Sequence, residues 1–597
     1  MQNLALAALK AAYVNNEITP KALMASLRKQ ALEQADYNAW ITLLSEDQIS
    51  TYLTYLEDKQ PEELPLYGVP FAIKDNIDLA GVPTTAACAD FEYTPEKSAF
   101  VVDLLIKAGA IPLGKTNLDQ FATGLVGTRS PYGEGKNSFN PEYISGGSSA
   151  GSAIATALGQ VSFALGTDTA GSGRVPAVLN NLIGHKPSKG LLSTSGVVPA
   201  CKTLDCVSIF SLNTDDAATV LQVAAQYDEQ DAYARENRYD NLVRYYSNQV
   251  PASFKFGVPT DLEFNSNSET ESLFSKSIEQ LVQLGGEPVE INFSPFIESA
   301  KLLYEGPWVA ERWLATENVA AESMLDVIAS IVKNGNESTA ADGFSAQYKL
   351  QTLKKQCDKL MEGLAFVLTP TTPTVFTREE IAKDPIKNNS ILGTYTNFMN
   401  LLDYAATAVP VGITENGVPW GVTLFSHAFS DMKLLSYSGA LQKAIDLPQG
   451  ATDSALPASA PMVVPAIKDR IQVVVCGAHL EGQPLNWQLI ERGATLVSKT
   501  HSSENYALFA LADGIRPGMV RNEDNGSAIE VEIWSLPKEN FGSFVAGIPE
   551  PLGIGKVEMS DGQWLSGFIC EASGLKGARD VTEFKGWRAW LAHKATL

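Results

Sequence analysis

Cationic charge is scarce in this sequence. Its 597 residues hold 45 Lys and Arg against 68 Asp and Glu, a formal net charge of −23. That balance argues against a nucleic-acid surface, which needs clustered Lys and Arg, and against adhesion to anionic membranes. Histidine is scarcer still. The five residues His185, His427, His479, His501 and His593 lie in no recognisable nucleophile motif, which disfavours a Ser-His-Asp arrangement. The six cysteines (Cys88, Cys201, Cys206, Cys357, Cys476, Cys570) form no CxxC. They fit scattered reduced thiols of a cytoplasmic protein better than disulfides or a zinc site. No apolar run approaches the roughly 20 residues that span a bilayer. The opening MQNLALAALKAAYVNNEITPKAL lacks a basic region before its apolar run and is interrupted at Lys10, Asn15, Asn16 and Glu17. It predicts an amphipathic helix, then a second helix starting at Thr19-Pro20, and not a signal peptide.

What is present is the composition of a soluble globular protein, 45% hydrophobic and 19% charged. The length predicts two or more domains. The clearest composition shift is DLPQGATDSALPASAPMVVPAIKDR, rich in Ala, Pro and Ser and without periodicity. It places a large domain over 1–445, a linker over 446–467 and a small domain over 468–597. Helix-like segments (LLIKAGAI, SGGSSAGSAIATALGQ, SKSIEQLVQLGG) alternate in the large domain with strand-like runs (GVPFAIKD, AIPLGK, VSFALGTD, FVLTP). The alternation predicts an α/β fold with helices on a mixed or parallel sheet. The runs IQVVVCG, ALFALA, IEVEIWSLP and WLSGFICEA predict the strands of a small α+β or barrel-like domain. No repeat period is present.

The stretch SGGSSAGS is the composition of a flexible linker, yet a helix former and a buried strand follow it directly. A second small-residue cluster, GTDTAGSGRVPAVLNN, comes next. Two such clusters joined by one helix and one strand face each other across a tight turn of the chain. They expose backbone N–H groups in the manner of an anion nest or oxyanion hole. Upstream, GVPFAI ends at Lys74. A lone lysine is usually solvated, but one that closes an apolar strand is partly buried, which depresses its pKa towards that of a useful base. Arg174 is placed to brace the Gly-rich turn; Ser145, Ser149 and Ser152 are read as helix-capping residues, and His185, Lys186 and Lys189 as structural or solvated.

With GVPFAIKDN, KTNLDQFATG, SGGSSAGSA, GTDTAGSGRVPA, GHKPSKG and VLTPTTP, the chain resembles the amidase signature family over residues 1 to 445. One small departure is Ala150, where many members have glycine. The resemblance implies a mixed central sheet covered by helices and a Ser–cis-Ser–Lys triad. The implied nucleophile is Ser172, the bridging serine is Ser148 after a cis peptide at Gly147, and the base is Lys74. Backbone N–H groups of Thr169, Ala170, Gly171 and Ser172 are the implied oxyanion donors, each typically worth about 3 kcal/mol of barrier. Gly124 is placed at the substrate. No metal and no organic cofactor are implied, and neither an HExxH nor a phosphate loop contradicts this.

Two further segments bear on the substrate. In KLLYEGPWVAERW the Gly306-Pro307 pair breaks a helix and turns Tyr304 and Arg312 towards one pocket, a natural grip for a small carboxylate. A packing tyrosine with a surface arginine is the bland alternative. VVVCGAHLEGQPLNWQLIERGATLV is similar to the appended domain of the allophanate hydrolase branch, whose fold resembles γ-glutamyl cyclotransferase. Taken together the two segments imply hydrolysis of allophanate, with Tyr304 and Arg312 holding its carboxylate, a homodimer, and a separate biotin-dependent urea carboxylase as the source of substrate. His479 is a candidate for decarboxylating the first product, against a structural or dimerising role for its domain. The alternatives are another amidase, or one subunit of an amidotransferase, that takes a different small amide, and a non-catalytic scaffold.

Overall fold

The computed structural model describes residues 2–247, 250–333, 335–457 and 470–596. The chain divides into two compact units, one of Met1–Asn237 and Asn241–Met462, the other of Arg238–Asp240 and Val463–Leu597.

The large unit is built on one mixed sheet. Its strands are β1 (Trp40–Leu43), β2 (Pro70–Lys74), β3 (Ile111–Thr116), β4 (Phe163–Asp168), β5 (Ile183–Lys186), β6 (Cys206–Ser211), β7 (Phe254–Pro259), β8 (Gly286–Ile291), β9 (Phe366–Pro370), β10 (Tyr404–Ile413) and β11 (Pro419–His427). They lie in the order β1-β3-β2-β4-β6-β5-β10-β11-β9-β7-β8. The pairs β3/β2, β2/β4, β9/β7 and β7/β8 are parallel and the rest antiparallel. Central strands such as β2 and β4 are buried along their whole length. Covered on both faces, they read in the sequence as continuous apolar runs and not as alternating ones.

The Gly/Ser run is a packing device. All eight residues of the helix Ala150–Ala157 are buried. A Cβ on Gly151 would stand 2.1 Å from the Ala39 carbonyl oxygen, so the helix lies closer to its neighbours than a larger residue permits. The helix begins at Ala150, where the helix-forming run AGSAIATALGQ starts, and Gly146 ahead of it (φ +71°) lies against the Pro176 backbone. The capping role expected of Ser145, Ser149 and Ser152 is corrected. Ser149 makes no cap bond; its Oγ donates to the Thr167 carbonyl and accepts from the Thr167 N–H. Ser152 Oγ donates to the Leu165 carbonyl and Ser145 Oγ to the Gly146 carbonyl. Buried hydroxyls here serve the nearest backbone, two of them tying the helix to β4. At the N-terminus the helices Leu6–Val14 and Pro20–Glu33 form as expected, and Thr19 Oγ1 caps the second by accepting from the Ala22 N–H.

Of the stretch 446–467, residues 458–467 lie outside the described residues. The remainder packs on the large unit. Ala451 N–H donates to the Ala157 carbonyl, and Asn181 Nδ2 donates to the carbonyls of Pro448 and Gly450.

The second unit is α+β. Its strands are β12 (Arg470–Val475), β13 (Thr495–His501), β14 (Tyr506–Ala510), β15 (Pro517–Arg521), β16 (Glu530–Pro537), β17 (Leu552–Glu558), β18 (Trp564–Cys570) and β19 (Arg579–Asp580). They form a five-stranded sheet, β13-β16-β12-β18-β17, and a three-stranded one, β15-β14-β19. The edge strands β13 and β17 of the larger sheet meet at one end, where Ser502 bridges Met559 and the Ser560 N–H donates to the His501 carbonyl. All six cysteines are free and buried, and no helix of the described residues is long and apolar enough to cross a membrane.

Trp420 on β11 is fully buried, and its Nε1 donates to the Thr372 carbonyl at 3.0 Å. Trp420→Ala is expected to destabilise the large unit by about 3–5 kcal/mol, read as a lower denaturation midpoint at unchanged slope.

Candidate active site

The site lies where the parallel neighbours β2 and β4 end. Their register, Ile73 opposite Leu165, brings Lys74 beside the last residues of β4. Lys74 is fully buried, with Nζ 2.8 Å from Ser148 Oγ and 2.7 Å from Thr167 Oγ1. Burial lowers its pKa from 10.5 to about 7, against the opposing pull of Asp119, Asp205 and Asp168. The peptide between Gly147 and Ser148 is cis. A Cβ on Gly147 would lie 2.1 Å from Asp119 Oδ2, so no side chain fits there.

Ser172 sits in the turn that follows β4. Arg174 closes this turn with a two-pronged grip on Asp168, Nε to Oδ2 at 2.9 Å and Nη2 to Oδ1 at 3.0 Å, and both side chains are inaccessible to water. The brace expected of Arg174 is therefore an ion pair. Burial alone raises the Asp168 pKa, yet Arg174 and the surrounding donors hold it below the usual carboxylate value. The same carboxylate accepts the N–H groups of Gly171 and Gly173 at 3.0 Å each. The N–H of Gly171, expected among the oxyanion donors, points in this structure to the ion pair that shapes the turn. The N–H groups of Thr169, Ala170 and Ser172 have no acceptor among the described residues. Thr169 Oγ1 donates to Asp205 Oδ1; burial raises the Asp205 carboxyl to about 6.

Lys74 and Ser148 are in direct contact, but among the described residues Ser148 and Ser172 share no hydrogen bond. The Ser172 hydroxyl makes a long donation, 3.4 Å, to the Gly124 carbonyl. Gly124 is thereby placed at the proposed nucleophile, and a Cβ on it would stand 2.6 Å from Asp119 Oδ2.

The helix Ser294–Glu305 stops at Gly306, and the chain re-enters helix at Val309–Thr316. This break brings Tyr304 and Arg312 together. Arg312 Nη2 donates to the Tyr304 hydroxyl at 3.4 Å, and its Cζ lies 5.5 Å from the ring centre. Arg312 is buried, and its Nη1 donates to Thr123 Oγ1 at 2.9 Å. Thr123 and Gly124 thus join the two clusters, one residue touching Arg312 and the next touching Ser172.

Sequence reasoning did not single out Thr123, Thr167, Asp119 or Asp205. Thr167 carried a signal, since it stands near the end of a buried strand as Lys74 does. The others had none beyond falling inside or near a quoted motif. His185 is structural as expected, its Nδ1 at 3.0 Å from Thr407 Oγ1 and its Nε2 at 3.4 Å from Asp431 Oδ1. Lys186 is buried and donates to the Pro187 carbonyl. In the second unit His479 stacks on Phe568, with Nε2 at 2.9 Å from Gln488 Oε1, and lines a cavity of about 270 Å³ with Cys476, Arg516 and Met519. Burial lowers its pKa. No cluster of His, Cys, Asp and Glu able to hold a metal ion occurs among the described residues.

The amidase family profile matches residues 21–435, and that of the allophanate hydrolase C-terminal domain matches 471–592. The chain is 46% identical to urea amidolyase of Saccharomyces cerevisiae over 93% of its own length and 31% of that protein's. With urea amidolyase of Lachancea kluyveri it shares 45% identity over 95% of its length and 32% of the relative's. The chain therefore spans about a third of these relatives. A crystal structure of Kluyveromyces lactis allophanate hydrolase superposes with a TM-score of 0.75 at 41% identity, covering 99% of each chain. A glutamyl-tRNA(Gln) amidotransferase subunit from Thermotoga maritima matches 74% of this chain and 95% of its own, with a TM-score of 0.62 at 27% identity. The chain belongs to the amidase family, and it joins that fold to an allophanate hydrolase C-terminal domain.

Proposed function

We propose that this chain hydrolyses the terminal amide of allophanate, with Lys74, Ser148 and Ser172 as its triad. The observation that carries the reading is the buried Lys74 amine held by two hydroxyls, a base whose pKa is brought down to about 7 so that a large share of it is neutral near that pH. Neutral Lys74 accepts a proton from Ser148, which takes one from Ser172 as Ser172 Oγ attacks the carbonyl. For this the Ser172 hydroxyl turns from its long contact with Gly124 towards Ser148. The free N–H groups of Thr169, Ala170 and Ser172 stabilise the tetrahedral oxyanion. The relay then runs backwards to protonate the leaving nitrogen, ammonia departs, and water resolves the acyl ester. N-Carboxycarbamate is the product. Its loss of one carbon dioxide leaves carbamate, whose breakdown to ammonia and a second carbon dioxide brings the overall yield to two of each.

Tyr304 and Arg312 hold the substrate carboxylate in this reading, so urea, which lacks one, is refused. The names of the relatives support it: allophanate hydrolase for the solved structure and urea amidolyase for the longer chains. Allophanate is urea with a carboxylate added, so a biotin-dependent urea carboxylase is the source we infer for it.

Steady-state ammonia release tests the assignment. Allophanate is expected to be preferred over acetamide, malonamate and glutamine, and preference for any of those three would defeat it. Ser172→Ala is expected to lower kcat by about 10⁴-fold or more. Arg312→Ala should act mainly on KM, raising it by about 100-fold. The lysine gives a second check. Its reactive form is the neutral one, so kcat/KM should fall by about tenfold per unit as pH drops below about 7. Its folded pKa lies below the 10.5 of the free side chain, so the unfolded chain binds the extra proton. Stability should accordingly rise with pH between about 7 and 10.5, and Lys74→Met should flatten that rise in denaturation titrations.

A further inference from the structure

Three arginines are buried in or beside the site: Arg174, Arg312 and Arg129. Arg174 has a carboxylate on its guanidinium. The other two have none; among the described residues neither lies within 4.0 Å of an acidic oxygen. They converge on one residue. Arg129 Nη1 donates to the Thr123 carbonyl at 3.0 Å, while Arg312 Nη1 donates to the Thr123 hydroxyl at 2.9 Å. Arg129 Nη2 donates to the Pro385 carbonyl, and its buried Nε has no acceptor among the described residues. Its Cδ would be 3.1 Å from a Cβ on Gly124, so the side chain runs directly beside the residue that touches Ser172.

The acids that face this pair are already occupied. Asp119, the acid with the strongest pull on Arg129, accepts the N–H groups of Val126, Gly127 and Arg129. Asp205 takes Thr169 and the N–H groups of Ala200 and Cys201, and Glu311 takes Thr203. Asp119 attracts Arg129 and Asp205 attracts Arg312, but from beyond ion-pair contact, so both forks lack a carboxylate partner at hydrogen-bond distance, and each guanidinium repels the other. A ligand carboxylate would supply that missing contact.

We propose that Arg129 is the second cation of the carboxylate site, a specificity-determining and positioning residue that works with Arg312 to select small amides bearing a carboxylate. This rests on the function proposed above and deepens it. Arg129 acts by its charge, and through the Thr123 carbonyl it fixes the dipeptide between clamp and nucleophile. A residue serving only to staple the loop would depend on its two hydrogen bonds and not on its charge.

The test compares Arg129→Gln and Arg129→Lys in the full chain. The two probes are allophanate, read through KM and kcat, and biuret, the neutral isostere with a carboxamide for the carboxylate, read as a competitive inhibitor. Arg129→Gln is expected to raise KM for allophanate by about tenfold or more, with kcat within about threefold and the biuret inhibition constant within about twofold. Arg129→Lys, which keeps the charge but loses the fork, should restore KM to within about threefold of wild type. Parallel weakening of allophanate and biuret in either variant would show a loop staple only and overturn the proposal, as would an unchanged KM in Arg129→Gln. Should Arg129→Gln fail to fold by circular dichroism, the Lys variant decides by the same ratio of KM to inhibition constant. A wild type inert towards allophanate would instead remove the reading of function. Calorimetric binding of malonamate would then judge Arg129, with a loss of about tenfold expected in Arg129→Gln and equal binding counting against it.

Discussion

An amine shut away from water is the constraint around which this site is arranged. Lys74 is fully buried, and three carboxylates, Asp119, Asp168 and Asp205, pull on it from nearby. Each of them is hydrogen-bonded to other groups. Arg174 and two backbone N–H groups occupy Asp168, three backbone N–H groups occupy Asp119, and Thr169 with two N–H groups occupies Asp205. Desolvation outweighs the acids, and the pKa of the amine is brought down to about 7. Each of these hydrogen-bonded carboxylates also shapes a strand end or loop that carries another member of the site.

The glycines and serines follow from the same crowding. Gly147 and Gly124 both abut the Asp119 carboxylate, and Gly151 abuts the Ala39 carbonyl. Gly166 would place a Cβ 2.7 Å from Ser149 Oγ. Small residues let the helix Ala150–Ala157 and the turn after β4 come close together, so that the Ser149 hydroxyl reaches the backbone of β4. Packing density and chemistry are therefore set by one choice of residue type.

Much of this was legible in the sequence, for reasons that differ by residue. GVPFAIK reads as a buried strand because both faces of β2 are covered, and its lysine inherits that burial. The two small-residue clusters read as facing each other because one helix and one strand join them. The Tyr304/Arg312 pairing was visible because Gly306-Pro307 marks the break that produces it. Other features were hidden. The long strand β10, YAATAVPVGI, contains a proline and lacks alternation, so no strand signal announced it. Ser149 and Ser152 look like caps in one dimension, and only tertiary contact with β4 redirects their hydroxyls. The commitment of the Gly171 N–H to Asp168 depends on a side chain three residues back folding over it. Arg129 in VGTRSPYG stands in no periodic or motif context. Its meaning is wholly three-dimensional.

The Thr123–Gly124 step also links the two clusters. One residue meets the guanidinium of Arg312 and the next meets the hydroxyl of Ser172, so the contacts of the proposed clamp and the proposed nucleophile are joined by a single peptide unit of buried backbone. In the function proposed above, a ligand's anionic group and its reactive carbonyl would both be referred to this one step of the chain, so a shift at either residue would be felt at the other.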